Sequence, residues 1–215
     1  MNSKRLTKTL PLVSQAGPLK IAVTGGAGSG KSTVCERLQA LGLKVVSADV
    51  LAREAVQPGR PAYEKVLAHF GLNVVRADGK LDRRLLRHII VNDDRARDAL
   101  ERCVHPEIIA LIHTYLTDEK HTAPAVAIEV PLLFELALET GFDVVLLVIA
   151  ARKVQTRRLI ERDRVSAQDA EALIDSQMAD ADKIKKSDFV IRNEGSLEAL
   201  HQAVDRFYDL FCKKS

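Results

Sequence analysis

The run Gly25-Gly26-Ala27-Gly28-Ser29-Gly30-Lys31-Ser32 satisfies the pattern GxxxxGK[ST], and no other stretch restricts so tightly what the chain can become. The pattern carries chemistry only when a strand leads into it and a helix leaves it. Both flanks fit. Leu19 to Thr24 is a short apolar run, and Lys31 to Gly42 carries Val34, Leu38 and Leu41 at helical spacing. Glycines let the backbone curl so that successive N–H groups face inward, and the helix beginning near Lys31 adds the positive end of its dipole. Such a loop binds phosphate. Gly26 to Thr33 are therefore the expected nucleotide-binding residues, with Lys31 on the β- and γ-phosphates and the Ser32 hydroxyl on Mg²⁺; ATP and Mg²⁺ are the expected cofactors.

The rest of the chain supplies a setting for that loop. Leu43 to Val46 reads as a second strand, followed by a helix near Asp49 that stops at Pro58-Gly59. From Arg60 to about residue 120 apolar residues recur at three and four, as in Tyr63/Val66/Leu67/Phe70 and Ile108/Leu111/Ile112/Tyr115, which predicts a helical insertion. Ala125 to Val130 and Asp143 to Ile149 are apolar runs of the kind found in parallel strands covered on both faces. A charged helical stretch from Lys153 to Lys186, a last strand from Asp188 to Ile191 and a helix from about Ser196 complete the chain. The expected fold is α/β, a three-layer αβα P-loop architecture with a five-stranded parallel sheet. The core is 19–59, 121–151 and 187–215, the insertion about 60–120 and a helical lid about 152–186. Ligands of such sheets lie at the carboxyl ends of the strands.

Composition closes off several function classes. The 32 basic and 29 acidic residues are interspersed, aromatics make up 4% and Trp is absent, so neither a basic stripe nor stacking platforms mark a nucleic-acid partner. Arg83/Arg84/Arg87/His88 is the nearest approach to a basic cluster, and a solvated face or contact with an anionic substrate explains it equally well. No apolar run nears the roughly 20 residues of a membrane span. Cys35, Cys103 and Cys212 show neither disulfide-framework nor zinc spacing, which fits a reducing cytoplasm. Residues 1–18 are basic and acid-free; a disordered tail is the first reading and an organelle transit peptide the second. A nucleotide-dependent switch of the GTPase type would need NKxD and DxxG segments, and the chain has neither.

A kinase also needs groups for the acceptor hydroxyl, and acids at strand ends beside the loop are the natural candidates. Asp49, after Val45-Val46-Ser47-Ala48, is either a catalytic base or the cap of the next helix. Glu129, closing Ala125 to Ile128, is either a magnesium-shell acid or a charged strand end. Glu135 is predicted to begin a helix and to face substrate or solvent. Arg158 and Arg162, four apart on one helix face, repel unless an anion lies over them; alternatively the face is merely solvated, with Arg157 paired to Glu161. His105-Pro106 interrupts the helical pattern, and the His is ambiguous.

Thr24 to Thr33, Ala48-Asp49 with Ala52-Arg53, His105-Pro106, Pro131-Leu132-Leu133-Phe134-Glu135, and Asp188-Phe189-Val190-Ile191 with Asn193 and Gly195 together resemble the dephospho-CoA kinase family, from about residue 19 to the end. That resemblance implies transfer of the ATP γ-phosphoryl group to the ribose 3′-hydroxyl of dephospho-CoA, giving CoA and ADP in the final step of coenzyme A synthesis. It also implies roles: Asp49 as base, Arg158 and Arg162 as lid arginines over the phosphates, and Asn193 near adenine. Arg53, His105, Pro131, Leu132 and Glu135 fall on the substrate side, with the insertion as the CoA-binding part. A monomer or small homo-oligomer is expected, with no nucleic-acid or membrane partner. Two positions depart from the family pattern: Ser47 stands where a second acid is common, and Ser187 where Ala is common.

Overall fold

The computed structural model describes residues 17–118 and 122–213; the expected tail, through residue 16, lies outside them. Backbone contacts divide the chain into two compact units. The first draws on Met1–Val45 and Asp118–Ser215, the second is Val46–Thr117.

The first unit is built on strands β1 (Leu19–Thr24), β2 (Lys44–Ser47, which ends past the unit's boundary), β3 (Ala125–Glu129), β4 (Val144–Ile149) and β5 (Phe189–Arg192). Their order in the sheet is β2-β3-β1-β4-β5. Strand β1 lies parallel to β3, with Leu19 opposite Ala125 and Val23 opposite Glu129, and parallel to β4, with Ile21 opposite Val144. Strand β5 joins β4 in the same sense. The continuous apolar runs have their reason here, because alternate residues point to opposite faces and both faces are covered. On one face Ile21, Val23, Ala125, Ala127, Val144, Leu146, Val148 and Ile191 pack with Val34 and Leu38 of α1 (Lys31–Ala40). Leu200, Val204 and Phe207 of the C-terminal helix Leu197–Phe211 complete that cluster. On the other face Ala22, Val126, Ile128 and Leu147 are wholly buried. Each buried Val, Leu or Ile side chain here contributes roughly 1.5–3 kcal/mol. Arg37 of α1 grips Asp205 of the last helix through two hydrogen bonds of 2.8 Å.

The second unit is helical: α2 (Ala48–Ala55), α3 (Pro61–Phe70), α4 (Arg83–Asn92) and α5 (Asp94–Leu116). Helices α2, α3 and α4 all pack on α5. Tyr63, Val66, Val74, Leu81 and Leu86 form its core. Proline at 106 was expected to interrupt the helix, yet α5 runs straight through it. A 23-residue helix with tertiary packing along its length tolerates the one N–H that proline removes. The charged helical stretch after β4 consists of three helices: α6 (Arg152–Asp163), α7 (Ala167–Asp175) and α8 (Asp180–Lys186). Arg164, left-handed at φ 55°, ends α6, and Ser166 caps α7 by accepting from Asp169 N. With β5 between them, the C-terminal helix is α9.

Candidate active site

Strand β1 is buried between two neighbours and ends at Thr24, so the chain must leave the sheet through the following loop at the strands' carboxyl edge. The loop is glycine where the fold leaves no room. A Cβ on Gly25 (φ 151°) would lie 2.0 Å from Val148 O, and one on Gly30 (φ 94°) would lie 2.1 Å from Asn193 Nδ2. Gly30 stands at the N-cap of α1 with no side-chain cap and no acid in the first turn. The amino end of α1 therefore keeps its dipole for an anion.

Lys31 is buried, and its ammonium donates to Gly25 O at 2.9 Å and Gly26 O at 3.0 Å. Burial holds its pKa below the ordinary lysine value; Glu129 opposes that shift, and Lys183 and Arg162 reinforce it. Ser32 Oγ donates to Glu129 Oε1 at 3.4 Å, so a hydroxyl and a carboxylate meet at the mouth of the loop. Two hard oxygen donors beside a phosphate loop suit magnesium, which takes one or two protein ligands and completes its shell with water and substrate phosphates. No cluster of three or more His, Cys, Asp or Glu that could hold a metal exists among the described residues.

The carbonyl side of the loop is clamped. Arg158 donates to Gly28 O (3.3 Å), Ser29 O (3.2 Å) and both oxygens of Asn193 (3.4 and 3.3 Å). Asn193, itself buried, donates to Ser29 O at 2.8 Å. Arg158 and Asn193, expected over phosphate and adenine, brace the loop in this structure. Arg162 spends its guanidinium on Asp163 (2.7 Å), and Arg157 reaches Glu161 at 3.9 Å.

Pro131, Leu132 and Glu135 follow β3 in a series of turns rather than in the helix expected from Glu135 onward. Glu135 closes a contact instead: its carboxylate accepts from Met178 N at 2.9 Å and pairs with Lys183 Nζ at 3.3 Å. Burial would raise its pKa, but the Met178 bond and the Lys183 charge win and hold it below the ordinary carboxylate value. Sequence reasoning missed Lys183, which is fully buried, and with it Gln155, Gln177 and Asp180, which gather over the loop at Gly26. All four sit in the charged stretch after β4, where no spacing separates them from solvated neighbours.

In the second unit Ser47, not Asp49, caps α2. Its Oγ accepts from Asp49 N at 3.2 Å, and Asp49 lies in the first helical turn with an exposed side chain. The strand expected to end at Val46 runs one residue further, to Ser47. Arg53 is exposed on the same helix, and His105 sits half-buried in mid-α5.

The model of the family described as dephospho-CoA kinase matches residues 19–199, from β1 into the first turn of α9. The chain belongs to the dephospho-CoA kinase family. A dephospho-CoA kinase of Moorella thermoacetica is 42% identical over 186 residues, which is 86% of this chain and 88% of that protein. A solved dephospho-CoA kinase from Campylobacter jejuni superposes with a TM-score of 0.70 at 30% identity, covering 90% of this chain and 96% of its own. A crystal structure of a Thermus thermophilus protein gives 0.78 at 34% identity, over 92% and 100%. As a member of the dephospho-CoA kinase family the chain is an enzyme, an ATP-dependent kinase of coenzyme A biosynthesis with a P-loop α/β fold. Among its described residues no helix is long and apolar enough to cross a membrane.

Proposed function

We propose that this chain moves the γ-phosphoryl group of ATP to the 3′-hydroxyl of the ribose of dephospho-CoA, releasing CoA and ADP. The observation that carries this reading is the loop between β1 and α1, with Lys31 inside it, the Ser32–Glu129 pair at its mouth and Arg158 with Asn193 behind it. Residues Gly26 to Thr33 bind the nucleotide, its phosphates lying on backbone N–H groups of the loop other than that of Ala27, which Gln177 holds, and Lys31 exchanges its two carbonyl partners for phosphate oxygens. Ser32 and Glu129 would hold magnesium. When bound, that ion offsets the charge that gathers on the phosphate oxygens during transfer. Arg158 and Arg162 supply positive charge at the rim, and Asn193 sets the wall on which the nucleotide base rests.

On the acceptor side Asp49 takes the proton of the 3′-hydroxyl as its oxygen bonds to the γ-phosphorus and the bond to the ADP oxygen breaks. Arg53, His105, Pro131 and Leu132 are assigned to acceptor binding, and the helical insertion of about residues 60–120 to the CoA moiety; Glu135 contributes through the turn it holds. The enzyme works as a monomer or small homo-oligomer in the cytoplasm, a reading supported by three free cysteines.

The experiment is ADP release with Mg-ATP and dephospho-CoA, set beside adenosine, AMP, CMP and shikimate. Dephospho-CoA alone should stimulate release, with CoA formed in equal amount. Stimulation by a different acceptor would overturn the assignment of substrate while leaving the phosphate site intact.

A further inference from the structure

Gln177 lies between α7 and α8, 150 residues from Ala27, yet its Oε1 accepts a hydrogen bond from Ala27 N at 2.8 Å. A carboxamide offers one acceptor atom and two N–H donors. A loop N–H can be met only by the oxygen, so this bond fixes which way the group is turned. Nε2 is directed elsewhere, and its N–H groups have no partner among the described residues. The side chain stands over the phosphate loop together with Gln155 Nε2 and Asp180 Oδ1, which would lie 2.6 and 3.8 Å from a Cβ on Gly26. The backbone that carries it is fixed from the far side. Met178 N, the next residue, donates to Glu135 Oε1 at 2.9 Å, and the buried Lys183 pairs with the same oxygen at 3.3 Å.

We propose that Gln177 donates a hydrogen bond from Nε2 to the phosphoryl group in transfer, and that Glu135 is the positioning residue that holds Gln177 for that task. The inference rests on the kinase reading above. A donor set in place by the loop itself costs no reorganisation when charge develops on the phosphoryl oxygens, which is the condition under which a single hydrogen bond matters most to rate.

The test compares Q177A and Q177E with wild type for kcat, for ATP KM and for ATP Kd by calorimetry. Q177E keeps an acceptor for Ala27 N and loses the donor, so it separates bracing the loop from contacting phosphate. Both variants should lose about 10²-fold in kcat, with ATP Kd within about threefold of wild type. Wild-type kcat in Q177E would reduce Gln177 to a brace. Tighter ATP binding by Q177A at unchanged kcat would make Gln177 a plug over an empty loop, and either result overturns the proposal. E135Q, which keeps an acceptor for Met178 N, should retain more kcat than E135A; equal losses would remove Glu135 from its role. Turnover is read with whichever acceptor the wild-type enzyme phosphorylates, so failure of dephospho-CoA would sink the substrate assignment and leave this test standing.

Discussion

Asp49, the proposed base, does not also have to cap its own helix. Ser47 Oγ accepts the Asp49 N–H and caps α2, so the Asp49 carboxylate is not needed to start the helix. Replacing Asp49 with Asn preserves shape and removes the proposed base. Turnover should fall roughly 10²-fold or more, while ATP affinity, measured by calorimetry, stays within a fewfold. Undiminished turnover would return the carboxylate to bystander status. The phosphate loop was legible in the sequence because its function resides in eight consecutive residues whose backbone geometry is dictated by glycine. Gln177 was not, because its contact with Ala27 exists only once α6, α7 and α8 have folded back over the loop, and a glutamine in a charged stretch gives no sign of that.

At the level of elements, the clasp of Glu135 on Met178 N and Lys183 ties the turns after β3 to the α7–α8 connection. Lys183 is wholly buried, whereas the Glu135 side chain keeps 22% of its surface. Glu135→Ala leaves an ammonium buried without its counter-charge and should cost about 3 kcal/mol, a fall of roughly 6–12 °C in Tm. Lys183→Met leaves behind the Glu135 carboxylate, which keeps part of its surface and the Met178 N–H, and should cost less than Glu135→Ala. Equal losses in both variants would show that packing, not charge, holds the clasp. The sign of the pH effect follows from the direction of the shift. Glu135 is held below the ordinary carboxylate value of 4.5, so its share of stability is present above that value and disappears as pH falls through its lower folded value. The Tm gap between wild type and Glu135→Ala should therefore close on acidification below pH 4.5, as followed by circular dichroism. The helical character of the stretch after β4 was legible in the sequence, but its divisions were not. The charged stretch after β4 shows no residue that marks a break, yet the left-handed backbone of Arg164 divides it between α6 and α7. At Pro106 the local signal for a break is overridden by packing along α5.

For the whole molecule, nucleotide binding should appear as stability. Mg-ATP at about 100 times its Kd adds roughly 2.7 kcal/mol, or about 5–11 °C in Tm for a chain of this size. Lys31→Ala should abolish that shift; an equal shift in the variant would remove Lys31 from the phosphate site. The sheet's composition was plain from its apolar runs, whereas its order, β2-β3-β1-β4-β5, depends on pairings between distant segments that no local pattern encodes. That order has a consequence during synthesis. The first strand made, β1, takes its neighbours from Ala125 onward, more than a hundred residues later. On the ribosome β1 thus waits with both edges bare while the whole of Val46–Thr117, dominated by short-range helical contacts, is made and can close first. The catalytic loop, which hangs from the end of β1, takes its shape only after most of the chain has emerged, and a nascent chain stalled before residue 125 should bind no nucleotide.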